Sequence, residues 1–233
     1  MENILFKYMS ERFNAANYDK GIKPRNLPFI TISREYGCPS KEIAALLVLE
    51  MNNKRKEKDN IHPWQMINKE IIAEASKELK VNTNRIQKFY TTENRTAIDE
   101  ILNSLSQKYY HSDKKIQKTL STIITDFAKK GNVVIVGRGG VCVTSSFKNG
   151  IHIRLTAPLE WRAEQIMKAK NCTIGEAKKL ANDIDHKRNE LLKIMSNNCF
   201  NESIFDLTYN CRSFSKEEIA ESIIYHLGLK DFA

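Results

Sequence analysis

Four consecutive apolar residues, Val133-Val134-Ile135-Val136, run directly into Gly137-Arg138-Gly139-Gly140, and no other stretch restricts the fold of this chain so tightly. A strand with one wet face alternates apolar and polar side chains. An uninterrupted β-branched run suits a strand covered on both faces, the situation of a parallel sheet between helical layers. Three more short runs read as strands: 29–32 ("FITI"), 151–155 ("IHIRL") and 205–209 ("FDLTY"), with 63–67 ("PWQMI") as a further candidate. Helical patterns separate them. This order predicts a doubly wound α/β fold, in three layers, around a parallel sheet of about five strands.

Two helix starts carry capping-box patterns, Thr173 with Glu176 and Ser215 with Glu218. The first opens a long helix with an apolar stripe of Ala177, Leu180, Ala181, Ile184, Leu191 and Met195, and the second a terminal helix ending near Gly228. Arg188 falls on the apolar stripe, four residues beyond Ile184 and three before Leu191, so it is expected to point inwards with Asp185 beside it. Residues 81–125 are helical in pattern and polar, which predicts a helical insertion. Ile4, Leu5, Tyr8, Met9 and Phe13 suggest an amphipathic N-terminal helix, interrupted by charges unlike a signal peptide.

Composition narrows the function classes. Among 233 residues, 41% are hydrophobic and 28% charged, with no run of about 18 apolar residues to span a bilayer. Five irregularly spaced cysteines without a CxxC pair argue against a zinc site or a disulfide framework and favour a reduced, cytoplasmic setting. The net charge of +9 arises from scattered lysines, without the interleaved basic and aromatic stripe of a nucleic-acid-binding module. Nothing in the residues points to metal ligands or sets an oligomeric state.

Chemistry is suggested at three places. After the first strand, Ser33-Arg34-Glu35-Tyr36-Gly37-Cys38-Pro39-Ser40-Lys41-Glu42 lies between strand and helix, where backbone N–H groups and a helix dipole can hold phosphate. Only its lysine meets the GxxxxGK rule. Arg138, at the end of the buried strand, stands where open α/β sheets bind ligands and can fork onto a phosphate. The segment 158–188 adds Arg162, Asp185 and Arg188.

Taken together, "ITISREYG", "VVIVGRGG", "LTAPLEWRAEQIM" and "DHKR" resemble the cytidylate kinase-like family of P-loop nucleoside monophosphate kinases, over residues 28–228. The match includes Ser33, Arg34, Glu35, Tyr36, Gly37, Lys41 and Glu42, while Cys38-Pro39-Ser40 replaces a glycine-rich stretch. Beyond the helical extension expected at 1–27, the resemblance implies a P-loop kinase-like domain at 28–233 with an acceptor-binding insertion at 69–125 and a lid at 158–190. It also implies ATP and Mg²⁺, with Ser33 to Gly37, Ser40, Lys41 and Glu42 around the nucleotide. Arg138 would meet the acceptor monophosphate, and Arg162, Asp185 and Arg188 would form the lid. Lys69, Arg85 and Arg95 would serve the acceptor. Gly139 stands where cytidylate kinases carry an aspartate, which leaves the acceptor base open, with CMP or dCMP as candidates. A non-catalytic nucleotide-binding or interaction protein that keeps the fold is the alternative.

Overall fold

The computed structural model describes residues 27–54, 63–67, 114–197 and 199–229. Five strands form its sheet: β1 (Phe29–Arg34), β2 (Gln65–Ile67), β3 (Val133–Val136), β4 (Gly150–Thr156) and β5 (Leu207–Asn210). They lie in the order β2-β3-β1-β4-β5, and every pairing is parallel. The helices are α1 (Ser40–Asn53), α2 (Lys114–Lys130), the short α3 (Gly140–Thr144), α4 (Leu159–Lys170), α5 (Ile174–Met195) and α6 (Lys216–Leu229).

All four residues of β3 are buried, as the apolar run requires of a strand covered on both sides. On one face Ile30, Ile32, Val134, Ile151 and Ile153 pack with Ile43 and Leu47 of α1 and Ile219 and Ile223 of α6. On the other, Phe29, Val133 and Ile135 pack with Ile123, Ile124 and Phe127 of α2 and Leu191 of α5. A smaller cluster joins Ala163 and Ile166 of α4 to Ala177, Leu180, Ala181 and Ile184 of α5, so these two helices form a hairpin with its own core. Both capping boxes are present. Thr173 Oγ1 accepts from the Glu176 N–H while Glu176 accepts from the Thr173 N–H, and Ser215 and Glu218 repeat the arrangement.

Several strand boundaries differ from the sequence pattern, those of β1 and β5 for reasons visible in their hydrogen bonding. β1 continues through Ser33 and Arg34, because β4 is long enough to pair Arg154 and Leu155 with them. These polar residues therefore end a strand instead of opening a loop. β5 starts at Leu207 rather than at position 205. The Asp206 carboxylate takes the His152 N–H at 2.6 Å, the place of a ladder carbonyl, and a 3₁₀ turn at Glu202–Ile204 precedes it. The expected N-terminal helix and most of the expected insertion, with Lys69, Arg85 and Arg95, fall outside the described residues.

Candidate functional site

The carboxyl ends of β1, β3 and β4 bring the three sequence segments together, because adjacent parallel strands all end on the same edge. After β1 the chain turns within five residues into α1. Gly37 has φ of 97°, and a Cβ there would stand 2.9 Å from both the Cβ and the carbonyl oxygen of Arg162. Glycine is required at this point by dihedral and by contact.

The loop amides are largely committed to protein acceptors. The Glu35 N–H donates to Leu155 O at 3.0 Å, Tyr36 N–H to Asp185 Oδ1 at 2.7 Å, Cys38 N–H to Glu35 O at 3.3 Å and Ser40 N–H to Cys38 O at 2.9 Å. Pro39 has no N–H to give. Ser40 is buried, whereas Lys41 and Glu42 stand exposed in the first turn of α1, whose N-cap residue, Pro39, makes no side-chain hydrogen bond.

Arg162 holds this loop to the α4–α5 hairpin. Its guanidinium is buried and donates from Nε to Ala157 O at 2.9 Å and from Nη1 to Tyr36 O at 3.1 Å. It pairs with Asp185 Oδ2 at 2.6 Å and with Glu35 Oε2 at 3.3 Å. Glu35 also accepts the Ala157 N–H at 3.0 Å, which fastens the loop to the start of α4. Burial pushes the Asp185 carboxyl above its ordinary value, against the Tyr36 N–H, Arg162 and Arg188, which hold it down. Three motifs far apart in the sequence thus close into one network. In it Glu35, Tyr36, Arg162 and Asp185 contact one another.

Beside this network lie three further arginines. Arg188, on α5, donates from Nη1 to Arg34 O at 3.1 Å, stands 3.7 Å from Asp185 Oδ1 and lies over the Tyr36 ring at 5.4 Å. The Arg34 side chain crosses to the end of β3, where a Cβ on Gly137 would collide with its Nη1. Arg138 occupies the next position. Gly137, Arg138 and Gly139 all have positive φ, at 75°, 62° and 67°, and a non-glycine residue held left-handed at the end of a buried strand marks a position over-determined by its surroundings. Burial, then Arg188 and Arg138, pull the Arg34 guanidinium well below the ordinary arginine value, and burial does the same to Arg188. A guanidinium keeps its proton at neutral pH. Burial and the crowding of like charges make the cations costly here, a cost that an anion relieves.

Among the candidates, Arg34, Glu35, Tyr36, Gly37, Arg138, Arg162, Asp185 and Arg188 converge on this edge. Ser33 is buried in β1, opposite Arg154. The network was only partly legible beforehand: Asp185 and Arg188 share a helix face, but nothing in the sequence joins Glu35 to Arg162.

Nor does spacing announce that the thiols of Cys38 and Cys211 hydrogen-bond each other. That bond and burial push Cys38 far above the ordinary thiol value, and burial pushes Cys142 up to about 11. Cys199 is exposed. Brief alkylation of the folded protein near neutral pH, followed by peptide mapping, is expected to modify Cys199 well before Cys38 or Cys142. Faster labelling of Cys38 would contradict this environment.

Among the described residues no helix is long and apolar enough to cross a membrane, and no group of three or more His, Cys, Asp or Glu is placed to hold a metal ion. An uncharacterized protein from Eubacterium ventriosum has a similar fold, with TM-score 0.62 and 16% identity over 87% of this chain and 98% of that one. A shikimate kinase from Acinetobacter baumannii in complex with shikimate is a remoter likeness, with TM-score 0.48 and 10% identity over 90% of this chain and 97% of that one. A cytidylate kinase from Pyrococcus horikoshii is 32% identical over 126 residues, which cover 52% of this chain and 64% of that protein, so the match spans less than two thirds of the relative's length. Residues 29–213 match the model of the cytidylate kinase-like family, and the chain belongs to that family.

Proposed function

We propose that this chain transfers a phosphoryl group from ATP, bound with Mg²⁺, to a nucleoside monophosphate, with CMP or dCMP as the acceptor. The observation that carries this reading is the crowding of Arg34, Arg138 and Arg188 at the ends of β1 and β3, a place that favours a phosphate. Phosphoryl transfer asks a protein chiefly to align two phosphates and to neutralise the charge that develops. Arg138 and Arg188 would hold the acceptor phosphate. Lys41, in the first turn of α1, would reach the donor phosphates. Glu42, the carboxylate in that turn, would help to hold the Mg²⁺ of the nucleotide, which when bound would supply neutralisation of phosphate charge.

In this arrangement all of Arg162's observed partners belong to the protein, so it would act by holding the loop against the lid helices α4 and α5. Lid closure over both substrates would exclude water from the reaction.

One observation favours the second reading, nucleotide binding without turnover: four loop amides already donate to protein acceptors, and Pro39 has none. A phosphotransfer assay with ATP, Mg²⁺ and a panel of nucleoside monophosphates separates the two readings. CMP or dCMP is expected to be phosphorylated, and Lys41→Ala and Arg138→Ala are each expected to lower kcat/KM by about 10²-fold or more. Turnover that survives both substitutions would refute the site. Absence of turnover, with ATP binding that Lys41→Ala abolishes, would establish the non-catalytic reading instead.

A further inference from the structure

We propose that Arg34 is a phosphate-binding residue of the acceptor site, completing a set of three guanidiniums with Arg138 and Arg188, and that this site takes a terminal phosphate monoester. The inference rests on the kinase reading above and deepens it. By its place in "SREYG", Arg34 belongs to the donor loop, but the strand register moves it. β1 extends through Arg34, paired with Leu155, so the residue ends a strand and precedes the loop. Its side chain then lies on the β3 side of that strand, against Gly137 and next to Arg138, and not along the first turn of α1, where Lys41 stands.

Two hydrogen bonds and one close approach go with this placement. The Arg188 guanidinium holds the Arg34 carbonyl at 3.1 Å. The Gly137 N–H donates to Ile32 O at 2.9 Å, which sets the end of β3 beside Arg34. Gly137 itself has no Cβ, and that leaves room for the guanidinium. Among the described residues Arg34 has no ion-pair partner. Asp185, the carboxylate that bears on it, already receives the Tyr36 N–H at 2.7 Å and Arg162 at 2.6 Å. Burial beside two other arginines makes the cation costly until an anion arrives.

Guanidinium is the group suited to such an anion, because its planar fork matches two phosphate oxygens at once. Three of them converging from two strand ends and a helix suit three non-bridging oxygens. A monoester presents three; a diester presents two and carries less charge.

The test is direct binding without turnover. Inorganic phosphate, CMP, cytidine and ATP are titrated calorimetrically into wild type, Arg34→Gln and Arg34→Lys at fixed ionic strength. Inorganic phosphate is expected to compete with CMP but not with cytidine. Arg34→Gln is expected to weaken phosphate and CMP by about 10- to 100-fold, the size of a lost charge-assisted contact, while leaving ATP within about twofold. Arg34→Lys, which keeps the charge without the fork, should fall between, and it gives the same readout if the glutamine variant fails to fold.

Phosphate binding equal to wild type in Arg34→Gln would overturn the assignment, as would a loss confined to ATP. The two proposals fail separately. Arg34-dependent phosphate binding in a protein without turnover would sink the kinase reading alone. Undiminished turnover in Arg34→Gln would sink the Arg34 assignment alone.

Discussion

Arg162→Ala is expected to destabilise the protein by about 3–5 kcal/mol, the range for breaking a buried ion pair from one side. The residue is 6% exposed, donates to two carbonyls and to the Asp185 carboxylate, and pairs with Glu35. Alanine removes every donor and leaves the largely buried Asp185 and Glu35 carboxylates without that cation. For a chain of 233 residues, a loss of that size corresponds to a fall in Tm on the order of 10 °C. Urea denaturation checks it: the midpoint should drop with little change in slope. A loss below about 1 kcal/mol would mean that Arg162 is replaceable, as surface ion pairs are.

The pH dependence gives a second readout. In the variant, Asp185 keeps the burial that pushes its carboxyl up and loses a cation that held it down. Its folded-state pKa then lies further above the unfolded value. The folded protein binds the extra proton, so stability falls as pH rises through the folded-state pKa. The deficit of Arg162→Ala against wild type is therefore expected to be smaller at about pH 5 than at about pH 8. A deficit that grows on acidification would contradict it.

Arg188→Ala is expected to lower kcat/KM for the proposed phosphoryl transfer by about 10²- to 10³-fold, the cost of removing one preorganised donor from a developing charge. Arg188 also fixes the Arg34 carbonyl and lies over Tyr36, so its loss disturbs the position of a second guanidinium. Arg188→Lys would keep the charge but not the fork. A fall in kcat would assign Arg188 to the transition state, whereas a rise in KM alone would assign it to ground-state binding of the acceptor. An unchanged kcat/KM would remove it from the site.

The parallel sheet was legible because its strands needed no context: "VVIV" is apolar throughout, and "IHIRL" and "FITI" are short and β-branched. Both capping boxes were legible for the same reason, since each is closed within four residues. The limits of β1 and β5 were not. Ser33 and Arg34 have the composition of a loop and become strand only because β4 offers partners. Asp206 has the position of a strand residue and instead uses its carboxylate as the first acceptor for His152.

The site divides along the same line. Sequence by itself determined that Arg138 follows a buried strand and that Arg188 falls on the apolar stripe of a long helix, because both readings follow from local pattern. Tertiary structure decided what each of them meets. Arg162 reaches Ala157 five residues away, Asp185 twenty-three away and Tyr36 one hundred and twenty-six away, and only the first of these separations is local. A guanidinium's role depends on whether its donors face protein or solvent. Long-range packing of α4 and α5 against the β1 loop engages Nε and Nη1 of Arg162, and the register of β1 leaves the donors of Arg34 turned toward the end of β3.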